Sequence, residues 1–134
     1  MPSFSRPVSS CPRILVFHEG SAAAADSLRA HLADAGFDVA SARTFVQAAR
    51  SLAARRTDVL VLYIPEVDWT LSTMLAEVRR ANPTLPIIAM ASRVSEDLFR
   101  FLARLNVTSV LPAHGGSRAT IDAIRTALAA CDHR

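Results

Sequence analysis

The chain of 134 residues carries 15 basic residues, every one Arg, against 12 acidic ones, for a net charge of +3. That length suits one domain with a real core, and so mild a charge gives no sign of a nucleic-acid partner. Chemistry that needs an ammonium side chain is excluded because the sequence has no Lys, and no apolar run approaches the roughly 20 residues of a membrane helix.

Residues 1–12 are rich in Ser and Pro and lack an apolar centre. They read as a loose arm rather than a secretory signal, so a cytoplasmic protein is expected. Arg13-Ile14-Leu15-Val16-Phe17 has the make-up of a first strand, ending at His18-Glu19-Gly20. Ser21 suits an N-cap, and Ala25, Leu28, Leu32 and Ala35 then recur at helical spacing. Gly36 fits the C′ position that closes such a helix. Phe37–Ala42 is a short second strand. Thr44 and Gln47 have capping-box spacing ahead of Phe45, Ala48, Ala49 and Leu52, which predicts a second helix over about residues 45–55. Arg55 and Arg56 would complement that helix's dipole.

Asp58–Asp68 is the central run. Val59-Leu60-Val61-Leu62 is long enough for one strand buried on both faces. It ends in Tyr63, and Pro65 soon stops any ladder. A helix follows from Trp69 to Ala81, with Leu71, Met74, Leu75 and Val78 in a stripe, and Asn82-Pro83 ends it. Pro86–Met90 reads as the fourth strand. Ser95 caps a helix bearing Leu98, Phe101, Leu102 and Leu105 on one face, and Val107–Leu111 is the fifth strand. Beyond Pro112–Gly116, Ser117 is placed to cap a last helix with Ile121, Ile124, Leu128 and Cys131 in line.

Strands alternating with helices of these lengths imply an α/β domain over residues 13–131. Its expected form is a flavodoxin-like, doubly wound sheet of five parallel strands in the order 2-1-3-4-5, with five helices. Cys11 and Cys131 are the only cysteines and have neither CxxC nor metal spacing, so they read as reduced thiols. Both should lie at the base of the sheet, where an opportunistic disulfide is conceivable, although a reducing cytosol works against one.

The segments "RILVF", "LADAGFDV", "TDVLVL" and "NPTLPIIAMAS", with the final helix, resemble the CheY-like receiver domain of response regulators over Arg13–Ala130. The resemblance implies a strand-end site with an acidic pair, a phosphoacceptor Asp, a Thr or Ser hydroxyl and a Lys. In this chain the acidic pair is His18-Glu19, the phosphoacceptor position holds Tyr63, the hydroxyl position Ala91 and the Lys position Ala113. Glu19 beside a His and a Tyr is a poor magnesium site, because Mg²⁺ wants an octahedron of hard oxygens. A Tyr hydroxyl cannot form the acyl phosphate that a carboxylate forms. The resemblance is therefore to a degenerate pseudo-receiver, and the fold by itself does not argue for activity.

His18, Glu19, Tyr63, Ser92, Arg93 and His114 should converge at the carboxyl ends of the strands. They can be read as a relic pocket whose polar groups bond one another, or as a pocket sensing a small anion. A transition-metal site on His18, Glu19 and His114 suits zinc by ligand type but matches no known spacing. Tyr and His could act as acid and base, yet no nucleophile is marked. Tyr63 is expected to plug the old cleft, and Trp69 either packs at a helix start or stands out as an anchor. Phe99, Arg100 and Arg104 on the fourth helix and Arg118 and Arg125 on the fifth are either a solvated face or a partner surface, as in the receiver family. The expectation is a non-enzymatic adaptor in bacterial signal transduction that binds a signalling protein or a second copy of itself. No cofactor, metal, membrane or nucleic acid is expected. The alternative is a ligand- or metal-sensing domain that uses the strand-end pocket.

Overall fold

The computed structural model describes residues 12–18, 23–64, 69–91, 95–112 and 117–132. The chain alternates β1 (Arg13–Phe17), α1 (Ala23–Asp34), β2 (Asp38–Ala42), α2 (Phe45–Ala54), β3 (Val59–Ile64), α3 (Trp69–Ala81), β4 (Ile87–Ala91), α4 (Glu96–Arg104), β5 (Ser109–Pro112) and α5 (Ser117–Asp132). All strand pairs are parallel, and the sheet order is β2-β1-β3-β4-β5. The topology read from the sequence is the one found.

Side chains alternate across a strand, so each inner strand feeds two cores. Leu15, Phe17, Leu60, Leu62, Ile87 and Ala89 face α2, α3 and α4, where Ala48, Leu75 and Leu102 meet them. Ile14, Val16, Val59, Val61, Ile88 and Met90 face α1 and α5, against Leu28, Leu32 and Ile124. β1, β3 and β4 are therefore near-continuous apolar runs, as expected where both faces are covered.

The helix ends follow the sequence signals closely. Thr44 accepts the Gln47 N–H (3.1 Å), and Ser95 accepts that of Leu98 (3.1 Å). The Gln47 amide oxygen reaches back to the Arg43 N–H (2.8 Å), one residue before the cap. Gly36, at φ 98°, closes α1 in a Schellman motif: Gly36 N–H bonds the Ala33 carbonyl and Phe37 N–H that of Leu32. Asn106 does the same for α4 at φ 58°, with Asn106 N–H on Ala103 and Val107 N–H on Leu102.

That second cap explains one shifted boundary. Val107 is spent on closing α4, so β5 begins at Ser109 rather than at Val107. β4 runs one residue further than Met90 because Ala91 still pairs with Pro112. Ser117, expected as the cap, is instead the first residue of α5, and its hydroxyl meets His31 Nδ1 of α1 (2.9 Å); Ser21, expected to cap α1, lies outside the described residues. This is a tie between helices.

Charge gathers at the base of the sheet. The Asp58 carboxylate accepts the Arg13 N–H (2.8 Å) and pairs with Arg56 (3.3 Å), while Asp38 takes Arg13 (3.5 Å) and Arg55 (4.0 Å). Arg55 and Arg56 thus have carboxylate partners beyond the helix dipole. Arg79 of α3 bonds five carbonyls: Asn82, Pro83 and Leu85 in the loop before β4, and Leu105 and Asn106 at the end of α4.

Candidate functional site

The carboxyl end of β3 lies at the centre of the sheet, where open α/β folds collect their chemistry. Phe17 of β1 pairs with Leu62, and Tyr63 pairs with Met90. One step beyond Phe17 and Leu62 come His18 and Tyr63. Alternation puts both on the α1/α5 side, His18 with Ile14 and Val16, and Tyr63 with Val59 and Val61. Tyr63 packs against that core, half-buried. His18 is 4% exposed, and its backbone N–H donates to the Ala42 carbonyl (3.1 Å).

Along the same row, Met90 pairs with Leu111, and the buried Thr120 of α5 donates its hydroxyl to the Met90 sulfur (3.5 Å). Among the described residues the row is His18, Tyr63, Met90 and Leu111: apolar bulk with one imidazole and one phenol. Burial pushes the Tyr63 phenol above its usual range, because a phenolate would lose hydration against this core. It stays protonated at neutral pH. On the opposite face, Ala91 is buried among the α2/α3/α4 core residues and offers a methyl.

Glu19, Ser92, Arg93, Ala113 and His114 lie outside the described residues. Of the six-residue pocket, the structure brings His18 and Tyr63 to adjacent strand ends. Among the described residues no three of His, Cys, Asp and Glu gather as a metal site, and no helix is long and apolar enough to cross a membrane.

The second candidate site flanks β5. Val110 of that strand joins the core under α4, and Leu111 joins the core under α5. The two helices therefore border this edge from opposite faces. Phe99 on α4 is 55% exposed while its neighbours Leu98 and Leu102 are buried. Arg100 pairs loosely with Glu96 one turn back (3.4 Å), and both are exposed. Arg104, Arg118 and Arg125 are exposed and have no ion pair among the described residues.

Sequence reasoning missed three polar links. They are the five carbonyls gathered by Arg79, the His31–Ser117 tie and the Thr120–Met90 bond. Only the first had a readable signal, an Arg in the last turn of a helix ahead of Asn-Pro.

No protein-family model matches the chain, and no curated protein sequence matches it. Solved structures do. A CheY-like response regulator receiver domain protein from Methanospirillum hungatei superposes with a TM-score of 0.82 at 18% identity, covering 92% of this chain and 98% of that one. This chain has the receiver fold. The signal receiver domain of an HD domain-containing protein from Pseudomonas fluorescens gives 0.80 at 19% identity, covering 92% and 99%. The chemotaxis protein CheY4 of Vibrio cholerae gives 0.78 at 17% identity, covering 88% and 99%. Identities this low speak for the fold alone, and the receiver fold leaves open what the strand-end residues do.

Proposed function

We propose that this chain is a pseudo-receiver: a phosphorylation-independent adaptor of bacterial signal transduction that acts through protein–protein contact. One observation carries the reading. The position where receivers hold their phosphoacceptor is filled by a Tyr packed half-buried into the α1/α5 core, a neutral phenol whose pKa burial raises further. A protonated phenol on an apolar wall neither gathers Mg²⁺ nor accepts a phosphoryl group as a carboxylate does. Ala91 in the hydroxyl position and the lack of any Lys in the sequence support the same reading.

With acyl-phosphate chemistry set aside, the partner contact falls to the surface beside β5. Phe99 is an exposed aromatic anchor within an Arg-bearing face, and aromatics and Arg are the residue types over-represented in binding hot spots. Reversing Arg100 and Arg104 to Glu should abolish capture of a signalling partner from native lysate. His18→Ala with His114→Ala should leave capture intact. The opposite pattern, loss with the histidines and retention with the arginines, would hand the function to the strand-end pocket.

A further inference from the structure

α2 packs on β1 and β2 through a narrow face. Of its ten residues only Ala48 is buried, with Ser51 and Leu52 half-buried beside it. Successive helical residues turn by about 100°, so Phe45, Ala49, Ala53 and Val46 share one arc about 100° wide. All four are exposed, Phe45 by 37% and Val46 by 57%. The arc begins next to the half-buried Leu52 and ends next to the exposed Arg50. The exposed large apolar side chains among the described residues are Phe45, Val46 and Phe99. A lone one such as Phe99 is ordinary on a soluble surface, whereas two adjoining ones on a helical arc point to a contact.

The charge around this arc has one sign. From Arg43 to Thr57 the chain carries four Arg and no acid. Asp38 and Asp58 hold Arg55 and Arg56 at the base of the sheet, and Glu77 of α3 is held by Arg80. Arg43 and Arg50 are exposed and have no ion pair among the described residues. The amino end of a helix is already positive through its dipole, and Asp or Glu ordinarily offsets it there. α2 has no acid in its first turn, and Arg43 stands one residue ahead of its Thr44 cap. Positive charge therefore borders the apolar arc at its amino end and along the Arg50 flank.

We infer that this arc docks an acidic amphipathic helix of another protein. Phe45 and Val46 are the apolar anchors, and Arg43 and Arg50 meet carboxylates on the flanks of the incoming helix. Ala49 and Ala53 are small enough to let the two helix axes approach closely. From Phe45 to Ala53 the arc is about 12 Å long, which suits two to three turns of a partner helix. A second copy has the wrong charge, because a two-fold pairing of α2 with itself brings two basic helices together. A lipid surface also fits poorly, since only one aromatic and one Val are large enough to enter it and interfacial helices bury a broader apolar face. α2 lies over β1 and β2 while α4 and α5 flank β5 at the opposite edge. The contact is thus separate from the adaptor surface and does not rest on that reading.

Backbone amide shifts of the full chain test this during titration with a synthetic amphipathic peptide that has Leu along one face and Glu on both flanks. Shifts should centre on residues 43–54 and fade as salt is added. A counterpart peptide with Lys in place of Glu should produce none. Val46→Asp and Arg50→Glu, both at exposed positions, should each weaken binding at least about tenfold with an unchanged far-ultraviolet spectrum. Should Val46→Asp disturb the fold, Arg50→Glu still tests the charge. Equal binding of the two peptides, binding indifferent to Arg50→Glu, or no shift on α2 up to the solubility of the acidic peptide would overturn the inference. So would self-association through α2, or co-sedimentation with phosphatidylglycerol vesicles in place of peptide binding, since the occupant would then be a second copy or a lipid surface.

Discussion

Among the described residues the two ends of the sheet differ in make-up. At the base, Arg13, Asp38, Arg55, Arg56 and Asp58 form a charged belt, and Arg79 ties two loops through five carbonyls. At the top, the described strand ends are Phe17, His18, Tyr63, Ile64, Met90 and Ala91, an apolar row with one imidazole and one phenol. In the receiver family the chemistry belongs to the top. Here the dense polar bonding described lies at the base, where it joins loops. On the proposed reading the fold keeps its architecture while a phenol and apolar side chains fill the described strand-end row.

The largest effect should follow from damaging the base. Arg79→Met strands carbonyls in both loops that the guanidinium serves and should cost about 3 kcal/mol. For a domain of this size that is a fall in Tm of order 10 °C, measurable by calorimetry. Loss of only a degree or two would mean that water satisfies those loops and that the base is less organised than described. Next comes the top. Tyr63→Asp sets a carboxylate against the α1/α5 core and should cost about 2 kcal/mol, while Tyr63→Phe should stay within about 1 kcal/mol.

A smaller, pH-dependent effect sharpens the same contrast. Burial raises the folded-state pKa of Tyr63 above its unfolded value near 10.0. The unfolded chain therefore releases this proton first, and stability present below that value falls as pH rises through the folded pKa. The sequence has a single Tyr, so phenolate absorbance reports this residue alone. Its titration should be displaced to alkaline pH, and Tyr63→Phe should flatten the alkaline loss of Tm. Smallest of all, reversing Arg100 and Arg104 should cost less than about 1 kcal/mol. Among the described residues the ion pair broken is the exposed Arg100–Glu96 contact, with a like-charge pair at i,i+4 in its place. Charge reversal that unfolds the chain would show that α4 is held by more than its buried Leu98 and Leu102.

Much of this was legible in the sequence because local signals and global pattern agree. Val59–Leu62 is apolar at every position, which only a strand covered on both faces requires, and α3 was read from Trp69 to Ala81 as found. The shift at β5 came from Asn106, whose positive φ finishes α4 and consumes Val107; an Asn just past a helical stripe was the available clue. Arg79 in a last helical turn ahead of Asn-Pro was a readable local cap, but its reach to Leu105, 26 residues away, was not, because only tertiary structure brings the two near. For the candidate site, Tyr63 and Ala91 were readable by position, but what surrounds them was not. Packing of the phenol into the α1/α5 core depends on Met90 and α5, which no local pattern connects to it.

The central claim is that the top of the sheet no longer takes a phosphoryl group. The direct measurement is intact mass after incubating the full chain with acetyl phosphate and Mg²⁺, beside a phosphorylatable receiver as control. The account predicts an unchanged mass for this chain, and for Tyr63→Asp as well, since the sequence has no Lys to neutralise an acyl phosphate there. A stable phospho-adduct on the native chain would contradict it.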